Sequence, residues 1–223
     1  MDILNKYEVI MTNKIFWKDP YKRNLETKVS SVDGSIVTLE DTIFYAMSGG
    51  QESDFGSFNK IEVLEANKKE NKILYTLPQN HNLKKGDSVF IEIDWERRYK
   101  LMRLHFSAEV VLEIINELLQ TPTRIGANIS PLKARIDFEL SESISTLLPN
   151  VYSKAKEIFD GNSEIISDFS DESKGRRYWE VKGFSRVPCG GTHLKRTNEV
   201  GDIKLKRKNI GKGKERVEIT LVD

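Results

Sequence analysis

Apolar and polar residues alternate over short runs between residues 28 and 94, with turn residues between the runs. "SIVTLE" follows the Asp33-Gly34 turn, "KIEVLEA" and "KILYTL" come next, and "SVFIEID" follows "NLKKGD". A period of two puts every second side chain on one face of a strand. Residues 1–94 are therefore expected to form a small β-barrel-like or sandwich domain. At Trp95 the period changes. Leu101, Leu104, Ala108, Val111, Ile115 and Leu118 recur three and four residues apart, which predicts a long amphipathic helix over residues 95–120 with Asp94 as its N-cap. Ile144, Leu147, Leu148, Val151, Ala155 and Ile158 predict a second helical stretch over residues 141–160, kinked or broken at Pro149. The strand-like segments "RRYWEVKGF", "DIKLKRKNI" and "ERVEITLV" complete an α+β domain over residues 95–223.

The composition is that of an ordinary folded chain, 38% hydrophobic and 31% charged over 223 residues. No apolar run approaches the roughly 20 residues that span a bilayer. The opening "MDILNKYEVIMTNK" lacks the charged-then-apolar order of a signal peptide. The expectation is a cytoplasmic protein with no membrane partner. A net charge of +1 argues against coating nucleic acid by bulk attraction. Locally the balance differs: Lys204, Lys206, Arg207, Lys208, Lys212, Lys214 and Arg216 crowd into "KLKRKNIGKGKER". Such a run is either an edge that meets phosphates or a solvated hairpin.

The chain has one cysteine and three histidines. Cys189 has no partner for an internal disulfide, so it is an apolar filler, a reactive thiol or a metal ligand. In "VPCGGTH" it stands four residues before His193, and the intervening glycines let the backbone fold tightly enough for the two side chains to converge. His105 and Glu109 are also four apart, on the long helix, and project from one face. Either pair alone is commonplace. Together they offer four ligands, and zinc takes Cys, His and carboxylate in tetrahedral geometry.

These residues also resemble a family. "MRLHFSAEVVLEII" and "PCGGTH" are similar to the His-x-x-x-His helix and Cys-x-x-x-His turn of the editing domain of alanyl-tRNA synthetases and of the free-standing alanyl-tRNA editing proteins called AlaX. "DTIFYAMSGGQESDFGSF" resembles the family's glycine and Gln stretch, "NISPLKARIDFEL" the segment after the helix, and "EVGDIKLKRKNIGKGKERVEI" its C-terminal hairpin. The length matches the medium AlaX type, with no room for an adenylation domain. The resemblance implies trans-editing: zinc-dependent hydrolysis of the ester in tRNA(Ala) mischarged with serine or glycine. The chemical need is that a synthetase pocket cannot strongly exclude an amino acid that only adds a hydroxyl to alanine.

The same resemblance implies site roles. His105, Glu109, Cys189 and His193 would hold Zn2+, and Gln51, on the glycine loop of the first domain, would reach across to orient substrate or water. Gly49 and Gly50 would allow close approach of the tRNA end, Thr42 and Thr123 are candidates for the serine hydroxyl, and Lys204, Lys206, Arg207, Lys208, Lys212 and Lys214 would meet tRNA phosphates. Two positions depart from the family pattern. Glu109 replaces the second helix histidine, and Glu52 follows "SGGQ" where a small or apolar residue is common. Glu109 could be a zinc ligand, a general base, or the mark of an inactive paralogue that serves as a non-catalytic tRNA-binding zinc module.

Overall fold

The computed structural model describes residues 12–222. Most of the opening segment, where the sequence shows no signal-peptide order, lies outside the described residues. The chain divides into two compact units, Met1–Met47 with Ser53–Trp95, and Ser48–Glu52 with Glu96–Asp223.

The first unit is made of strands: β1 (Asn13–Lys14), β2 (Asn24–Asp33), β3 (Ile36–Leu39), β4 (Asp41–Thr42), β5 (Gly56–Phe58), β6 (Ile61–Glu62), β7 (Glu65–Lys69), β8 (Lys72–Thr76) and β9 (Ser88–Ile93). Seven of them form one antiparallel sheet in the order β6-β5-β9-β2-β3-β8-β7. Among the described residues this order is open, with no ladder from β6 to β7. β2 spans the middle: residues 24–28 pair with β9 and residues 29–33 pair with β3, across a register shift between Val29 and Ser31. In β9 the alternation seen in the sequence becomes alternating burial, with Val89, Ile91 and Ile93 inside. The core is aromatic at its centre. Tyr75 meets Phe58 and Phe44 edge to face at 4.9 and 5.5 Å between ring centroids, the arrangement the ring quadrupoles favour.

The second unit mixes helix and sheet. It comprises α1 (Trp95–Leu118), β10 (Arg124–Ile129), β11 (Ala134–Glu139), α2 (Leu148–Asp160), β12 (Ile166–Asp171), β13 (Arg176–Val181), β14 (Ser185–Pro188), β15 (Asp202–Asn209) and β16 (Lys214–Val222). One antiparallel sheet runs β10-β11-β16-β15, and a second runs β12-β13-β14. The α+β class expected from the sequence describes this half. The helix differs from expectation in one respect. Besides the predicted stripe, Met102, Phe106, Val110 and Ile114 are buried, so α1 is apolar on more than one face and runs through the core. Phe106 packs edge to face on Trp179 of β13 at 5.2 Å and lies 6.4 Å from Phe159 of α2. Pro149 does not kink a helix. It occupies the first turn of α2, where its missing N–H has no intrahelical partner to lose, and a separate short turn, Ile144–Thr146, precedes it. No helix among the described residues is long and apolar enough to cross a membrane.

Candidate metal centre

Helical spacing and a glycine turn bring four ligand atoms together in the second unit. His105 and Glu109 lie one turn apart in the middle of α1, and Cys189 and His193 follow directly on β14. His105 Nε2 is 3.2 Å from Cys189 Sγ and 3.2 Å from Glu109 Oε2, and His193 Nε2 is 3.3 Å from the same carboxylate oxygen. All four ligand atoms lie within 4.8 Å of one another. Bonds of 2.0–2.3 Å around a tetrahedral zinc imply ligand–ligand distances of about 3.3–3.8 Å, close to the three short separations here.

The donor set also fits a dication. Glu109 Oε2 and His193 Nε2 are buried without a hydrogen-bond partner, an arrangement that costs free energy unless something bridges them. A thiolate and a carboxylate together carry two negative charges, which balance a divalent ion. Without an ion, protons do part of that work. Burial opposes charge on His105, but the Glu109 carboxylate and Cys189 raise its pKa well above the usual imidazole range. His193 is raised by Cys189 and Glu109 against the same penalty. The imidazoles hold Glu109 far below the ordinary carboxylate range despite its burial. Burial and Glu109 push the Cys189 thiol up, and the two imidazoles outweigh them, bringing it down to about 7. Metal entry must therefore release protons.

Residues around the four ligands hold them in place. Ser167 of β12 lies 2.9 Å from His193 Nδ1. With Nδ1–H donating to that hydroxyl, the lone pair of Nε2 faces the cluster. The Gly191 amide donates to Cys189 Sγ at 3.3 Å, which favours the thiolate. Arg177 of β13 anchors the turn twice: its carbonyl accepts from the Cys189 amide at 2.9 Å, and its guanidinium donates to the Gly191 carbonyl at 3.3 Å. Gly191 itself is required by packing. A Cβ there would stand 2.6 Å from His105 Cε1 and 2.7 Å from Nε2, distances no side chain tolerates.

Gln51 belongs to this unit, not to the first one as the sequence suggested. Ser48 and Gln51 exchange both backbone hydrogen bonds around Gly49 (φ 60°) and Gly50 (φ 87°), a tight turn that needs positive φ at both central residues. The turn then pairs with the end of β10, Ile129 donating to the Gly50 carbonyl at 2.7 Å and accepting from Glu52 at 3.0 Å. Gln51 is fully buried. Its Nε2 donates to Thr192 Oγ1 at 3.1 Å, and its Oε1 has no partner. Glu52, the second departure from the family pattern, forms an ion pair with Arg97 at 2.8 Å.

A cavity of about 460 Å3 opens beside the cluster. Glu109, Glu113 and Asn116 of α1, Arg124 of β10, and Val187 and Pro188 of β14 line it. Thr121 also lines it with φ 63°, a left-handed conformation unusual for a β-branched residue.

Residues 3–97 match the family described as tRNA synthetases class II (A), and residues 177–218 match the threonyl and alanyl tRNA synthetase second additional domain. The alanyl-tRNA editing protein AlaX-M of Pyrococcus horikoshii is 34% identical over 215 residues, covering 95% of this chain and 98% of that protein. The chain belongs to the AlaX-M family. The AlaX-M protein of Methanosarcina barkeri is 32% identical, with 96% of this chain and 100% of that protein covered. Similarity extends to the alanine–tRNA ligase of Methanococcus maripaludis, 31% identical over 96% of this chain but 26% of the ligase.

Within this AlaX-M chain the other expected site residues are placed differently from one another. Thr42 is in the first unit, fully buried, with its hydroxyl 2.6 Å from Tyr75 OH and accepting from the Phe44 amide. That hydroxyl is committed to the core. Thr123 is exposed, and its carbonyl accepts from the Glu139 amide. Lys204, Lys206, Lys208, Lys212 and Lys214 are solvent-facing or half-exposed on the β15–β16 hairpin. Arg207 is not free: it makes a two-pronged pair with Glu215, both hydrogen bonds at 2.6 Å. Sequence reading missed Ser167, Arg177, Thr192 and Glu113 as contributors. Thr192 lay inside the quoted turn motif, whereas Ser167, Arg177 and Glu113 carry no local signal.

Proposed function

We propose that the protein is a trans-editing deacylase that hydrolyses the ester of tRNA(Ala) mischarged with serine, and also with glycine, using Zn2+. The observation that carries this reading is the convergence of His105, Glu109, Cys189 and His193 beside a buried Gln51 and an open cavity, in a chain of the AlaX-M family. Zinc at such a cluster supplies Lewis acidity, which polarises an ester carbonyl and makes water a better nucleophile.

The protein groups do the rest. Gln51 Oε1 is an acceptor held by the Thr192 bond, and in this reading it orients water or a substrate donor. Glu109 Oε2 faces both imidazoles at ligand distance, which supports a fourth ligand over a lost one. Gly49 and Gly50 shape the loop that presents Gln51, and the hairpin lysines meet tRNA phosphates. In this reading the first unit is the barrel-like domain that precedes the editing region. Serine is retained in preference to alanine because a site that hydrogen-bonds the hydroxyl leaves a polar group unpaired when alanine enters.

Deacylation of Ser-tRNA(Ala), Gly-tRNA(Ala) and Ala-tRNA(Ala), measured side by side with metal content determined, tests the proposal. Ser-tRNA(Ala) should be hydrolysed far faster than Ala-tRNA(Ala). With zinc bound, equal activity on both would sink the editing assignment, and absent activity on both would return the chain to a non-catalytic tRNA-binding module.

A further inference from the structure

Glu113 is a charged group beside the cluster that the metal centre does not use. It follows Glu109 by one helical turn, so His105, Glu109 and Glu113 line one face of α1. Its carboxylate is fixed from two sides. Ser185 of β14 donates to Oε2 at 2.8 Å, and Asn116 donates to Oε1 at 3.2 Å. Each oxygen keeps acceptor capacity after these bonds. Both Glu109 and Glu113 line the same cavity, so the ligand cluster and a rigid anion border one space.

The chemistry of an aminoacyl ester matches that juxtaposition. Its ammonium sits on the carbon next to its carbonyl, and residues one turn apart on a helix are separated by about 5–6 Å between Cβ atoms. An ester whose carbonyl lies beside the cluster therefore carries its ammonium into reach of Glu113. This inference rests on the aminoacyl-tRNA reading above.

We propose that Glu113 is a specificity residue that binds the free α-ammonium of the aminoacyl group, so the site takes α-amino esters and discriminates against N-blocked ones. Ser185 and Asn116 are positioning residues that hold its carboxylate.

The test uses the full chain loaded with zinc and a stable probe, adenosine carrying a 3′-serylamide, with its amine free or acetylated. Binding by titration calorimetry should favour the free amine at least about tenfold in the parent, in line with a hydrogen bond to a charged group. Glu113→Gln should reduce that preference to near unity with zinc content and melting temperature unchanged, and Glu113→Asp should restore part of it. A parent with no preference, or a Glu113→Gln protein that keeps the full preference, would overturn the proposal. Should Glu113→Gln lose zinc or fold poorly, Ser185→Ala serves instead: a reduced amine preference supports the assignment, and an unchanged one counts against it. Failure of the editing reading looks different, because the parent would then leave Ser-tRNA(Ala) intact whatever its amine preference on the probe.

Discussion

Gly190 and Gly191 stand side by side in the turn, but an added methyl group has different consequences at each. A Cβ at Gly191 drives into the His105 ring, whereas a Cβ at Gly190 meets nothing within 4 Å. Gly191→Ala should therefore lower zinc affinity by at least about tenfold, a loss of the size seen when supporting residues of metal sites are removed, and Gly190→Ala should leave it unchanged. Equilibrium dialysis on both variants checks this, and equal affinities would show that His105 moves aside freely. Among the ligands, Cys189→Ala should lose metal and activity together. Glu109→His should keep the metal and most activity, since imidazole can fill the same position. Elemental analysis of Glu109→Ala decides whether the carboxylate is a ligand: zinc held as tightly as in the parent would show that it is not.

At the level of elements, α1 and the β15–β16 hairpin carry different loads. Phe106 of α1 is fully buried against Trp179 and Phe159, and Phe106→Ala should cost about 3–5 kcal/mol, read from denaturant unfolding. In the hairpin, Arg207 belongs to the fold. Its hydrogen bonds to Glu215 hold that carboxylate below its ordinary range, with help from the Ile144 amide. A depressed folded pKa means that the pair stabilises the fold above the unfolded carboxylate range, and that this contribution is lost as pH falls through the depressed value. Glu215→Gln should thus lower the melting temperature at pH 7 and flatten its fall below pH 5, and an unchanged acid limb would refute the assignment. Arg207→Glu should destabilise, because it leaves Glu215 without its partner and adds a like charge.

For the whole molecule, a net charge of +1 on 223 residues provides little long-range pull on RNA. Affinity for tRNA should then depend on a few local lysines. Lys204, Lys206 and Lys208 alternate along β15 and are exposed, while Leu205 and Arg207 between them are half-buried. Replacing Lys206 and Lys208 with Glu should weaken tRNA binding and reduce the slope of log affinity against log salt by about 0.9 for each duplex phosphate that is no longer neutralised. Melting temperature should stay near that of the parent, which separates this effect from that of Arg207. Unchanged affinity at low salt would make the hairpin a solvated edge.

Local pattern alone carried much of this protein. The change of period at Trp95 is the point where α1 begins, because strand and helix repeats are properties of neighbouring residues. Fourfold spacing put His105 with Glu109 and Cys189 with His193, and the turn glycines around residues 49 and 191 announced tight backbone. Other features depend on residues far apart in the chain. The ten-residue β2 strand carries too many charged and polar residues for a clean alternation, and its place in mid-sheet comes from pairing with β3 and β9. The burial of α1 on more than one face requires partners from β13 and α2. The Gln51 turn joins the second unit through hydrogen bonds of Gly50 and Glu52 to Ile129 and of the Gln51 side chain to Thr192, the latter 141 residues away. Arg207 reads as one more positive charge until β16 places Glu215 beneath it. Glu113 reads as a helix-surface charge until β14 brings Ser185 to it. Periodicity is set within a few residues, but a charge is neutralised, or a ligand completed, only by whatever the tertiary fold places opposite it.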